Sequence, residues 1–244
     1  MTRIQRADQR YPGGDPAAGI ETRHALSFGP YYDPDNLRFG AILACNEERL
    51  APGAGFDEHP HSHTEIVTWV VEGELTHHDT AGHTTVVRPG DLQRLSSAGG
   101  VRHVERNDAD VPLVFVQMWL APSAPGGEPS YEVVRGGDGS WSYDLAGADA
   151  RLHVRRPVAG ERTAVPAADF AYVHVVRGTV RLDGHGDGEG DGDGDGEGDE
   201  IGTGDELGPG DAARITDARG HTLVATTDAE VLIWGMRDWR RGLG

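Results

Sequence analysis

The chain has 244 residues, of which 37% are hydrophobic and 25% charged, a composition that suits a globular protein. A net charge of −18 with no basic stripe excludes a surface built to neutralise nucleic-acid phosphates, and no apolar run is long enough to cross a bilayer. One cysteine, Cys45, excludes an intrachain disulfide; with a charged, Gly- and Pro-containing N-terminus in place of an apolar leader, this points to the cytoplasm.

Met1 to Gly19 is polar and lacks periodicity, which predicts an irregular arm with one edge strand. From Ile20 the text turns to short runs. Leu37–Leu43, Ile66–Val71, Thr84–Arg88 and Leu113–Leu120 are rich in β-branched and aromatic residues and bounded by Gly, Pro, Asn or Asp, the signature of strands in a sandwich or barrel. No long amphipathic helical pattern occurs. The fold class expected is all-β.

Pro52 to Asn107 carries the chemistry. It holds His59-Pro60-His61 at one end and His103-Val104-Glu105 at the other. Residues i and i+2 of an extended strand face the same way, so each pair projects from one face of its own strand. Two such strands lying across from each other would bring His59, His61, His103 and Glu105 together. Three imidazoles and a carboxylate suit a divalent transition metal, with two coordination positions left on an octahedral ion. His63 has the same parity as His61 and ranks behind it, as a neighbour of the site or a solvated residue. His77, two positions before Asp79, reads as a hydrogen-bonded interior residue.

The second half repeats the first. Thr68-Trp69-Val70-Val71-Glu72-Gly73 is echoed by Val173-His174-Val175-Val176-Arg177-Gly178, and Pro89-Gly90-Asp91 by Pro209-Gly210-Asp211. Gly73 and Pro89 are 16 positions apart, Gly178 and Pro209 are 31 apart, and the surplus of 15 matches a Gly/Asp/Glu tract within 183–206. That tract reads as a hairpin insertion with too little apolar content to fold by itself. It carries eleven acidic residues, and setting them aside reduces the net charge from −18 to −7. Its carboxylates lack the spacing of an EF-hand, so a solvated hairpin tip is expected in preference to a calcium site. Aligned on the repeats, the positions of His59, His61, His103 and Glu105 become Ala164, Pro166, Leu223 and Ala225, so only the first copy offers a metal site.

The stretch as a whole resembles the pirin family of the cupin superfamily. The residues that carry the resemblance are His24-Ala25-Leu26-Ser27-Phe28-Gly29, Tyr31-Tyr32-Asp33-Pro34, His59-Pro60-His61, Glu65 to Gly73, Pro89-Gly90-Asp91-Leu92-Gln93 and His103-Val104-Glu105-Arg106-Asn107. One departure is Ser97-Ala98-Gly99-Gly100, shifted from the Ala-Gly-x-Gly usual there. The resemblance implies a bicupin of two jelly-roll-like β-barrels with few short helices. Residues 1–130 would form the metal-binding N-terminal barrel with its arm, and 131–244 a C-terminal barrel without metal ligands. It implies the same four ligands, His59, His61, His103 and Glu105, around Fe2+; Ni, Mn, Co, Cu or Zn would also suit the mixed donor set. It implies a quercetin 2,3-dioxygenase, which opens the central ring of a flavonol with O2. Glu105 would then be both ligand and proton acceptor, Glu65 would orient the histidines, and Phe56 and Trp69 would line the pocket. The alternative it implies is a non-enzymatic, iron-dependent redox-sensing regulator that binds a protein partner. Two barrels that fill their own cores predict a monomer.

Overall fold

The computed structural model describes residues 1–124, 126–137, 139–184 and 204–238. Among these the chain forms twenty-one strands and three short 3₁₀ turns, and no α-helix. No helix among the described residues is long and apolar enough to cross a membrane.

The strands make four sheets. A seven-stranded sheet runs in the order Ser130–Val134, Leu92–Ser96, Glu65–Glu72, Leu113–Leu120, Ile42–Leu50, Ile20–His24, Tyr11–Asp15. A six-stranded sheet runs Thr2–Gln5, Ala212–Ala218, Ala168–Arg177, Glu230–Met236, Ala150–Arg155, Trp141–Leu145. Each has a four-stranded companion. Gly55–His61, Val101–Arg106, Leu75–Asp79 and Thr84–Val87 form one; Arg162–Ala164, Thr222–Ala225, Val180–Asp183 and Asp205–Leu207 form the other. The two companions have the same strand order, copy for copy, as the repeats require. No sheet closes on itself.

Burial explains the layering. The two large sheets pack face to face through Val67, Trp69, Val116 and Met118 on one side and Leu152, Val154, Tyr172 and Trp234 on the other. The opposite face of the seven-stranded sheet supplies Val70, Leu113 and Phe115 to a second cluster with Leu75 and Val87 of its companion. Val173, Val175, Val231 and Ile233 do the same for the six-stranded sheet, against Leu182, Leu207 and Leu223. Central strands are thus buried on both faces, which is why Ile66 to Val71 is apolar without alternation.

Three features depart from expectation. The arm is more ordered than its composition suggests. Thr2–Gln5 pairs with Ala212–Ala218 and Tyr11–Asp15 pairs with Ile20–His24, while buried Arg10 donates to the Gly210 carbonyl and lies 2.9 Å from His174 Nδ1. Leu37–Leu43 is not one strand. Phe39 and Ile42 exchange backbone hydrogen bonds around a tight turn in which Gly40 has φ +55°, and the strand begins at Ile42. Ser130–Val134 pairs with Leu92–Ser96 of the seven-stranded sheet. The flanks of the acidic hairpin are paired, Val180 with Leu207 and Leu182 with Asp205; its tip, 185–203, lies outside the described residues, as does Trp239.

Candidate metal centre

The site is built on the first four-stranded sheet. His59 and His61 lie on its edge strand Gly55–His61, and His103 and Glu105 on the neighbouring strand Val101–Arg106, with His103 directly opposite His59 and Val101 opposite His61. The register then shifts, so that Glu105 faces Phe56: three positions of the edge strand answer two of its partner, a bulge over Asp57 and Glu58. The Asp57 carbonyl accepts the Nδ1–H of His59 at 2.8 Å, which leaves the lone pair of His59 on Nε2.

That Nε2 lies 3.0 Å from Nε2 of His103. Two nitrogens at adjacent positions on one ion, each about 2.1 Å from it, would stand about 3.0 Å apart. The His61 ring centre is 4.8 Å from that of His59 and 4.9 Å from that of His103, and one donor atom from each of the three falls within 4.8 Å of the others. His61 Nε2 is buried without a hydrogen-bond partner. Buried polar atoms are rarely left so, and an imidazole nitrogen with a free lone pair beside two other imidazoles is what a metal ligand offers. Burial, then the neighbouring His103 and His59, brings the His61 imidazole down to about 4; burial also lowers His103. Both rings are therefore neutral at neutral pH and present lone pairs.

Glu105 is 1% exposed and joins a second donor group with His103 and His77, again within 4.8 Å. Burial by itself would raise its carboxyl. His103, His77 and the amides of Gln117 and Gln93 outweigh that and hold it below the usual carboxylate range. Gln93 Nε2 donates to one oxygen at 2.9 Å and Gln117 Nε2 to the other at 2.8 Å. Gln117 Oε1 in turn accepts from Trp119 Nε1 at 2.9 Å, and the Trp119 ring stands edge-on to His61 at 4.8 Å, with Phe28 beyond it at 5.4 Å. The four predicted ligands thus fall in two donor groups that share His103, one with His59 and His61 and the other with His77 and Glu105, and the mixed donor set suits a divalent ion.

Several expectations are corrected. Glu65 is on a different strand from His59 and His61, in the other sheet, and its carboxylate takes hydrogen bonds from Arg94 at 3.0 Å and Ser96 at 2.7 Å; it does not orient the histidines. Trp69 has the same parity as Glu65 and packs between the large sheets, donating to Glu230, so it lines no metal pocket. Phe56 does stand beside His59, at 6.3 Å. His63 lies past the end of the strand with φ +54°, exposed and outside both donor groups. His77 is hydrogen-bonded to Asp79, as expected. Gln93, Gln117 and Trp119 were missed, although a glutamine in an apolar strand is a readable signal that something polar lies opposite. Both donor groups found among the described residues lie on this sheet, while Leu223 and Ala225 in the second copy are buried in apolar surroundings.

Comparison with known proteins defines the class. The family model described as Pirin matches residues 5–120. A Mycobacterium tuberculosis protein, provisionally named a quercetin 2,3-dioxygenase, is 38% identical over 234 residues, covering 89% of this chain and 88% of that protein. The Escherichia coli protein named quercetin 2,3-dioxygenase is 30% identical over 198 residues, 75% of this chain and 85% of its own. The crystal structure of the bacterial pirin YhhW from Escherichia coli, in complex with nickel(II), superposes with a TM-score of 0.82 at 26% identity, covering 97% of this chain and 99% of that one. The fold and site define a cupin-type β-protein. The chain belongs to the pirin family.

Proposed function

We propose that the protein is a metal-dependent dioxygenase of the quercetinase type, in which His59, His61, His103 and Glu105 hold a divalent ion. The observation that carries this reading is a pair of donor groups that share His103, one with His59 and His61 and the other with His77 and the buried Glu105, beside the ring of Trp119. Fe2+ is the ion proposed; nickel, present in the YhhW structure, suits the same donors, as do Mn, Co, Cu and Zn. When bound, the ion would supply a Lewis acid for the substrate hydroxyl and a centre for dioxygen chemistry.

The chain's own residues would do the rest. The Asp57 carbonyl and the bulge fix His59; Gln93 and Gln117 fix Glu105 by one hydrogen bond to each oxygen, leaving further lone pairs for an ion or a proton. Glu105 would accept the proton of the flavonol hydroxyl. Trp119, Phe28 and Phe56 would hold a flat aromatic substrate against the site and keep bulk water from it. The proposal includes two cupin units, 1–130 and 131–244, the second without ligands, with Thr2–Gln5 seated in the second and Ser130–Val134 in the first. A cytoplasmic location is part of the same proposal.

The test is aerobic incubation of the metal-loaded protein with quercetin, following loss of the flavonol and release of carbon monoxide. Stoichiometric release supports the reading. A fully loaded protein that leaves flavonols untouched overturns it and favours the regulator, whose readout is a protein partner.

A further inference from the structure

Away from the metal centre, the N-terminal arm borders a second polar cavity. Arg3, on Thr2–Gln5, stands directly opposite Arg214, on Ala212–Ala218, so the two side chains leave the six-stranded sheet on the same face. Like charges placed so repel each other, yet both line one cavity of about 190 Å³, together with Gln5, Tyr11, Asp33 and Asn36. The arm supplies Arg3, Gln5 and Tyr11, the six-stranded sheet supplies Arg214, and the loop after Ile20–His24 supplies Asp33 and Asn36.

Arg214 is only 7% exposed, and a buried guanidinium ordinarily has an anionic partner. Here Nη1 donates to Asn36 Oδ1, and Nη2 donates to Gln5 Oε1 at 2.9 Å and to the Ala25 carbonyl at 2.8 Å, all neutral acceptors. Nε is buried with no hydrogen-bond partner. Among the described residues neither Arg214 nor Arg3 has an ion-pair partner. Their neighbours on the arm do: Arg6 pairs with Asp211 at 2.9 Å, and Arg10 reaches Glu47 at 3.9 Å. Burial depresses the Arg214 guanidinium below its usual range, and the charges of Arg3 and Arg10 act in the same sense. Two facing cations, one of them desolvated, thus lack a counter-charge. Asp33 lines the same cavity without pairing with either; its Oδ1 accepts the Asp35 N–H at 3.0 Å, and its Oδ2 lies 3.5 Å from the Tyr11 hydroxyl.

We propose that this cavity binds hydrogen phosphate, with phosphate oxygens on Arg3 and Arg214 and the P–OH group donating to Asp33. Guanidinium groups are the donors that suit a tetrahedral oxyanion, and the cavity has about six times the ~30 Å³ share of one water molecule, room for the ion and little else. A carboxylate beside two arginines selects an oxyanion that still carries a proton. Hydrogen phosphate can donate to it, whereas sulfate at neutral pH has no proton to give and leaves two acceptors facing each other. The bound ion ties the arm and the 33–36 loop to the six-stranded sheet. The site shares no residue with the metal centre and does not depend on the metal reading.

The test is titration calorimetry of inorganic phosphate, with sulfate as the comparison, into the full-length wild type, Arg3→Gln, Arg3→Lys and Arg214→Gln. One phosphate per chain is expected, with the dissociation constant raised roughly 10–100-fold in Arg3→Gln and Arg214→Gln, less in Arg3→Lys, and with sulfate binding more weakly than phosphate. Arg3 is exposed, so Arg3→Gln is expected to keep the fold even where replacing the buried Arg214 does not. A wild type that binds no phosphate, phosphate binding unchanged in Arg3→Gln, or sulfate bound as tightly as phosphate overturns the proposal.

Discussion

Nε2 of His59 and Nε2 of His103 face each other at 3.0 Å across two antiparallel strands, at the last regular pair before a bulge. His103 is also the one residue shared by the two donor groups on this sheet. His103→Ala is therefore expected to abolish stoichiometric Ni(II) binding, whereas His63→Ala, at an exposed loop position, leaves it unchanged. Dialysis followed by metal analysis checks both; equal loss in the two variants would contradict the assignment.

Gln117 links the carboxylate to the aromatic wall, donating to Glu105 and accepting from Trp119. Gln117→Leu keeps the volume but removes both bonds. Metal affinity should fall roughly 10–100-fold, as when other groups behind a ligand are removed, with the intrinsic tryptophan fluorescence altered as well. A titration of Ni(II) into the variant gives the number.

Glu48 makes stability depend on pH. Burial, opposed by the Thr22 hydroxyl and reinforced by Glu105, pushes its carboxyl up to about 8 from an ordinary 4.5. Between those values the folded chain keeps a proton that the unfolded chain releases. This contribution is complete below 4.5 and is lost as pH rises through about 8. His61 acts in the opposite sense: its folded pKa of about 4 lies below the ordinary 6.5, so stability falls as pH drops through that window. Comparing Glu48→Gln with the wild type in chelator isolates the first effect. The variant should gain on the wild type as pH rises from about 5 to about 8, by urea unfolding; a constant difference would contradict it.

The turns that mark the repeat carry a steric requirement. Gly73 and Gly178 have φ of +76° and +70°, and a Cβ there would collide with the carbonyl oxygens of Pro112 and Asp228 respectively. Alanine at either position is expected to cost at least about 1–2 kcal/mol for the left-handed backbone, with the clash in addition. Thermal unfolding of the two single variants measures it.

The same glycines show why the duplication was readable: Gly73 and Gly178, like Gly90 and Gly210, recur because each copy needs positive φ at the same turn. The i, i+2 histidines were readable because strand parity puts them on one face. What could not be read was which face. Glu65 to Val71 is buried on both sides, so nothing in its pattern tells that Glu65 and Trp69 turn toward the second large sheet and Thr68 toward Gln117. Phe56 and His59 differ in parity yet their rings stand side by side because of the bulge. Gln93, Gln117 and His77 meet Glu105 from three other strands, a convergence visible only in three dimensions.

In the proposed dioxygenase, His59, His61, His103 and Glu105 hold a metal at which O2 would oxidise and open a flavonol. The direct measurement is quercetin turnover under air against metal occupancy, in the wild type and in His61→Ala. Turnover that rises in proportion to occupancy and vanishes in the variant is the predicted result. Turnover independent of the metal or preserved in His61→Ala, or its absence in a fully loaded wild type, would contradict the account.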